Sequence, residues 1–226
     1  MELENITKQT SRRYDDACAT AHALDLIGER WAMLVMRELM LGPRRFSDLR
    51  ASLSGLSANV LTQRLEGLEA AGVVRRRKLP PPASVQVYEL TEWGLEAEPV
   101  LLALGRWAVR SPQHDPTLPF SPVSLMLSLR AKFEAARAQG LAFEIAFRFG
   151  EEAFRAAVKD GALTAERGEA EAPDAEVFGS PSALAALLYG KVPLEALEAE
   201  GALTVHGDRA ALLRLADLYE MPPKAG

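Results

Sequence analysis

A single cysteine and three histidines stand among 226 residues. Cys18 cannot close an internal disulfide, and with His22, His114 and His206 scattered along the chain it makes no tetrahedral zinc pattern. Disulfide scaffolds and metal chemistry are therefore not expected, and no cofactor is. No apolar run approaches the roughly 18 residues needed to cross a bilayer; the stretch 31–36 is among the longest. Residues 1–16 hold no apolar signal-peptide core, so a cytoplasmic protein without a membrane partner is expected. A Gly-x-Ser-x-Gly elbow, a phosphate-cradling glycine loop and a paired-histidine metal motif are all missing, and His206 near Asp208 has no obvious nucleophile. The expectation is a binding protein and not an enzyme.

What is present is ordinary globular material: 48% hydrophobic and 25% charged residues, with a mean hydropathy of -0.03, enough for a packed core and too much for wholesale disorder. The charge is uneven. Up to Asp115 there are 15 Lys and Arg against 15 Asp and Glu, leaving 11 against 16 beyond it, so the net charge of -5 belongs to the second part. Within residues 44–78, eight cationic residues face three carboxylates, Asp48, Glu66 and Glu69. Polyanion binding depends on such a local patch and not on the acidic total.

Prolines at 112, 116, 119 and 122 block both helix continuation and sheet pairing. They mark a linker over 111–122, between a first unit at 1–110 and a second at 123–226, each long enough for its own core.

The first unit reads as mainly helical. Helices over 17–27 and 31–41 stop at Gly28 and at Gly42-Pro43, and Phe46, Leu49 and Leu53 space a third. Ser57 caps a fourth running to Ala70 and closed by Gly72. VVRRRKL and VQVYEL then flank a Pro80-Pro81-Pro82 tip as a hairpin, Thr91 caps another helix, and Pro99 restarts it. A short helix, a turn at Ser54-Gly55, a longer helix and a two-stranded ribbon follow the winged helix-turn-helix order. The second helix of such a pair must enter a groove about 12 Å wide with its apolar side held by the core. At about 100° per residue, Val60, Leu61, Leu65 and Leu68 share one side, while Asn59, Thr62, Gln63 and Glu66 share the opposite one. Asn and Gln can pair bidentately with adenine and Thr can touch a thymine methyl. A plain solvated face would carry the same residues. Arg64 falls in the apolar sector, so its stem packs inward and its head seeks a carboxylate or a phosphate. Strand alternation sends Arg76 and Lys78 to one face of the ribbon and Arg75 and Arg77 to the other; the alternative is a charged edge that resists aggregation. Arg44 and Arg45 precede the third helix, as backbone contacts or as plain surface charge.

The stretches LDLIGERW, LMLGPRRFSDLR, LSANVLTQRLEGLEAAGVV and YELTEWG resemble the HxlR-type family of bacterial transcription regulators over residues 18–110. The resemblance implies a winged-helix homodimer on a pseudo-palindromic stretch of double-stranded DNA, paired through the terminal helices of this unit. It implies base reading by Asn59, Thr62 and Gln63, with Ser57 at the start of their helix, and phosphate or minor-groove contacts from Arg44, Arg45, Arg75, Arg76, Arg77 and Lys78. The proline tip departs from the usual charged wing. Cys18 stands where some members of that family carry a redox- or electrophile-sensing cysteine. His22, one helical turn on, can lower its pKa when protonated. A small buried hydrophobe at a helix start is the other reading of Cys18.

In the second unit Pro122 opens a helix, and Leu141, Phe143, Ile145, Phe147 and Phe149 alternate with smaller or charged residues as a strand. Asp160-Gly161 signals a hairpin between strands over 153–158 and 162–167, and 176–178 and 203–206 supply two more strands. Helices fall at 181–189, 194–199 and 209–219. The expected fold is α+β, an antiparallel sheet covered by helices. PDAEVFGSPSALAALLYG and GALTVHGD are similar to the sterol-carrier-protein-like domain, over residues 141–219. That resemblance implies an apolar cavity for a small hydrophobic effector, with Phe143, Ile145, Phe147, Leu184, Leu187, Leu188 and Leu213 as candidate lining; the same residues also serve as plain core. The expected function is a dimeric, effector-responsive DNA-binding regulator. The competing one is a hydrophobic-ligand carrier whose winged unit mediates only protein association.

Overall fold

The computed structural model describes residues 13–226; residues 1–12, part of the stretch read above for a leader, lie outside the described residues. The helix stops predicted from glycine and proline hold. Helix α1 (Ala19–Ile27) ends where Gly28 donates its amide to Leu24, and α2 (Ala32–Leu39) runs into a turn at Gly42, whose φ of 111° suits glycine. Helix α3 (Phe46–Ser52) opens with Asp48 accepting the Arg45 amide. Helix α4 (Ala58–Ala70) opens with the Ser57 hydroxyl accepting from Val60 at 3.3 Å. Strands β1 (Val74–Lys78) and β2 (Gln86–Leu90) pair antiparallel with Arg76 opposite Tyr88. Arg44 joins this ribbon as a bridge, exchanging backbone hydrogen bonds with Tyr88. Thr91 caps the short α5 (Glu92–Leu95), and Pro99 sits in the first turn of α6 (Glu98–Ala108).

Beyond the proline-rich segment come α7 (Pro122–Lys132), β3 (Phe143–Phe149), β4 (Glu152–Lys159), β5 (Ala162–Arg167), β6 (Ala175–Gly179), α8 (Pro181–Leu188), α9 (Leu194–Ala199), β7 (Leu203–Gly207) and α10 (Arg209–Asp217). Asp160 and Gly161 both take positive φ, 52° and 74°, as a tight two-residue hairpin between β4 and β5 requires. The strands form one sheet in the order β5-β4-β3-β6-β7. It is α+β with helices on one face, as expected, but not antiparallel throughout: β6 runs parallel to β3, with Ile145 opposite Ala175. Residues 168–174 carry the chain from the β5 edge to the free edge of β3, and side-chain alternation is the same for either strand direction.

Phe143, Ile145, Phe147 and Phe149 point to the helix-covered face, while Arg148 pairs with Glu169 and Glu176 on the open one. The two units do not keep separate cores. Helix α7 packs against α2 and α6 on one side and against β5 and α8 on the other. Its Val123, Leu125, Met126 and Leu129 are fully buried in one continuous apolar cluster spanning both. Among the described residues no helix is long and apolar enough to cross a membrane.

Candidate nucleic-acid interface

Helix α4 is held from beneath. Leu61, Leu65 and Leu68 are buried against the core that also takes Val35, Met36 and Leu39 of α2, and Asn59, Thr62, Gln63 and Glu66 are left exposed on the outer side. Ser57 is exposed at the helix start with its oxygen engaged in capping, which leaves the hydroxyl proton available to a phosphate. Arg64 packs inward and meets Glu29 at 3.0 Å, the carboxylate of the two destinations predicted for it.

The wing cations are paired, and pairing follows the strand alternation. Arg75 and Arg77 both donate to Glu89, from Nε at 2.7 Å and from Nη2 at 2.8 Å. Arg76, on the other face, makes a fork to Glu69 at 2.6 and 2.9 Å and lies over the Tyr88 ring. These guanidiniums hold both carboxyls below the usual carboxylate range, Arg77 first and Arg75 after it at Glu89, and Arg76 at Glu69. The arginines remain exposed at 43–62% of their side-chain surface. The Arg76–Glu69 pair lies at the surface, where water screens it, so a phosphate can displace or share that carboxylate, whereas Glu89 is only 11% exposed and keeps Arg75 and Arg77 engaged, leaving a phosphate the guanidinium nitrogens that Glu89 does not use. Four cations against two carboxylates leave the wing positive, and Lys78 is exposed with no ion pair among the described residues. The tip at Pro80, Pro81 and Pro82 adds no charge.

Arg44 does not belong to this surface. It is 6% exposed and grips Glu152 of β4 through Nη1 at 2.8 Å and Nη2 at 3.1 Å, with Ser52 as a further acceptor. Its backbone bridge to Tyr88 turns the side chain toward the second unit, where a carboxylate 108 positions away receives it. The expected phosphate contact at Arg44 is thereby corrected, while the adjacent Arg45 is exposed. Arg50, one residue beyond buried Leu49 on α3, is a further exposed cation outside the set expected from sequence; its signal was its place directly after a core leucine.

Cys18 is exposed and not a buried hydrophobe. Its thiol pKa is lowered from the ordinary value of 9.0 by the nearby Ala21 and then Thr20 backbone amides and the Thr20 hydroxyl at the start of α1, none of which closes a capping hydrogen bond on it; His22 does not contribute. Among the described residues, neither α1 nor α6 holds a fully buried residue. Both present apolar side chains to solvent, among them Leu24, Val100, Leu104 and Trp107, the last 76% exposed.

Of the candidate effector residues, Phe143, Ile145, Phe147, Leu184, Leu187 and Leu188 are 0–6% exposed and packed in the continuous core. Leu213 is corrected: it is 40% exposed on the outer side of α10, while Leu212 and Leu215 take the inward positions. Two open concavities on the described surface lie elsewhere, one between the two units and one beside α5 and α6.

Residues 26–115 match the family model described as HxlR-like helix-turn-helix, and residues 121–225 match that described as alkyl sulfatase C-terminal. The second match leaves the sterol-carrier-like reading at the level of a helix-covered α+β domain. The chain is 38% identical over 86 residues to the uncharacterized HTH-type transcriptional regulator YvaP of Bacillus subtilis, covering 38% of this chain and 80% of that protein. It is 35% identical over 86 residues to the HTH-type transcriptional regulator YodB of the same organism, covering 38% of this chain and 77% of that one. The solved reduced form of YodB is similar over 44% of this chain and all of that one, at 31% identity and a TM-score of 0.39. A further similarity, at 18% identity and a TM-score of 0.42, is to the inverting sec-alkylsulfatase Pisa1 from a Pseudomonas species; it covers 45% of this chain and 16% of that one.

Proposed function

Since the chain belongs to the HxlR-like helix-turn-helix family of transcriptional regulators, we propose that it works as a homodimer that sets α4 into the major groove of double-stranded DNA and reads sequence there. The observation that carries the reading is the exposed set Asn59, Thr62 and Gln63 on a helix whose opposite side is locked into the core. Those side chains read base edges. Ser57, Arg45, Arg75, Arg76, Arg77 and Lys78 contact the phosphate backbone and position the helix. The apolar side chains that α1 and α6 expose, Leu24, Val100, Leu104 and Trp107, support pairing of two copies, which spaces two reading helices about one DNA turn, 34–36 Å, apart. The protein acts by binding and not by catalysis, and it works in the cytoplasm.

Cys18 supplies a second input. An exposed thiol with a lowered pKa, at the start of α1, suits reaction with electrophiles or oxidants. The second unit is the place for an effector, although its apolar sheet face is filled by its own side chains. The test of the main reading is a gel-shift assay with a duplex selected from a random pool. One complex holding two chains per duplex, displaced by selected but not by unrelated DNA, supports it. Equal displacement by both overturns it.

A further inference from the structure

Residues 44–78 hold three carboxylates, and the structure commits two of them. Asp48 accepts from the Arg45 amide and the Ser47 hydroxyl, and Glu69 is forked by Arg76 at 2.6 and 2.9 Å. Glu66 accepts no hydrogen bond and joins no ion pair among the described residues. Arg76 is close enough to feel its charge but turns its nitrogens to Glu69. Glu66 is exposed on the outer side of α4, three residues after Gln63 and four after Thr62. Positions 59, 62, 63 and 66 keep the spacing that lines one face of a helix. One class of helix-turn-helix protein reads bases from four positions of its recognition helix at this same spacing.

A carboxylate at that place meets the duplex with its charge uncompensated. Phosphates repel it, and so do the acceptor edges of the bases: guanine presents N7 and O6, thymine O4, and adenine sets N7 beside its N6 amine. Cytosine is the base whose own major-groove edge offers a donor, the N4 amine, and no acceptor. Three residues advance a helix by about 4.5 Å, against roughly 3.4 Å for one base step. We propose that Glu66 is a specificity-determining residue, accepting from the N4 amine of a cytosine about one to two base pairs from the base that Gln63 reads. This rests on the reading of α4 as the groove helix and gives that reading a sign. Arg76 and Lys78 draw in any duplex, and Glu66 works against them wherever no cytosine answers it. It thereby discriminates by penalty as well as by contact.

The test is selection of duplexes from a random pool by the full chain and by Glu66→Ala, Glu66→Gln and Gln63→Ala. Anisotropy titrations then follow on the selected site with each base pair in turn at the position that depends on Glu66. The unchanged chain should prefer cytosine there by about 5- to 150-fold for each half-site. Glu66→Ala should bind all four versions within about twofold of one another, and should take unrelated duplex at least about twofold more tightly, because a charge that phosphates repel is gone. Glu66→Gln should move the preference to adenine, which an amide matches and a carboxylate does not; a residue that only supports the helix would not exchange one base for another. Melting temperatures should stay level, since the position is exposed. A selected site that is the same for the unchanged chain and for Glu66→Ala overturns the proposal. Gln63→Ala separates the two levels: if it relaxes a base of its own while Glu66→Ala relaxes none, this inference fails and base reading by α4 stands. If neither alters the selected site, both fail.

Discussion

Replacing Gln63 by alanine removes an exposed amide from the middle of α4 and leaves Leu61, Leu65 and Leu68 beneath it untouched. A side-chain amide paired bidentately with an adenine is worth about 1–3 kcal/mol of discrimination, so affinity for a selected operator should fall by about 5- to 150-fold for each half-site that a protomer reads. Affinity for an unrelated duplex of equal length should stay within about twofold, because phosphate contacts supply nonspecific binding. Stability should move by no more than about 0.5 kcal/mol, the usual range for an exposed position. By contrast, Leu65→Ala, two residues further on but buried, should cost about 2–5 kcal/mol of folding stability and weaken every duplex through loss of folded protein. Fluorescence anisotropy on both duplexes, with thermal melts of each variant, separates the effects. Equal loss on operator and unrelated DNA from Gln63→Ala, at unchanged melting temperature, would refute base reading by that face.

Other consequences follow from the same arrangement. Arg76→Ala with Lys78→Ala should weaken all duplexes alike and make the salt dependence shallower by about 1.8 per protomer engaged, at roughly 0.9 for each phosphate no longer neutralised. Cys18 should be alkylated by iodoacetamide with a midpoint pH below the ordinary 9.0, and a midpoint at or above that value would contradict the role given to the Ala21 and Thr20 amides. Burial pushes the Lys132 ammonium down from 10.5 to about 8, so between those values the unfolded chain holds a proton that the folded one lacks. Stability should therefore rise with pH across that window and stay level below it. Lys132→Met should abolish that rise and stabilise the fold near neutral pH by on the order of 1–3 kcal/mol, as urea midpoints at two pH values would show.

Where local chemistry decides the structure, the sequence was legible. Gly42 and Gly72 stop helices because few other residues take their positive φ, Gly28 because a side chain there would meet the Leu24 carbonyl, and Pro43 because it cannot continue a helix; Ser57 and Thr91 cap because their oxygens reach a free amide, and Asp160-Gly161 turns a hairpin. The outer set Asn59, Thr62 and Gln63 follows from the turn angle of a helix alone. What stayed hidden depends on partners far along the chain. Arg44 reads as surface charge until Glu152 is brought to it from β4, and β6 looks the same in sequence whether it runs with β3 or against it. Leu213 shares an alternation with Leu212 and Leu215 that only the seating of α10 on the sheet resolves. Cys18 reads as a buried hydrophobe as readily as a sensor, because nothing local says that the start of α1 lies exposed.

Affinity for a selected duplex, followed as salt is raised from about 50 to 200 mM, probes the cationic wing and the twofold assembly together. If two protomers each set Arg45, Arg76 and Lys78 against phosphates, the logarithm of the affinity should fall linearly with the logarithm of salt, at a slope of about -5. A slope near zero, or no binding at the lowest salt, would mean that the winged half serves contacts with protein and not with DNA.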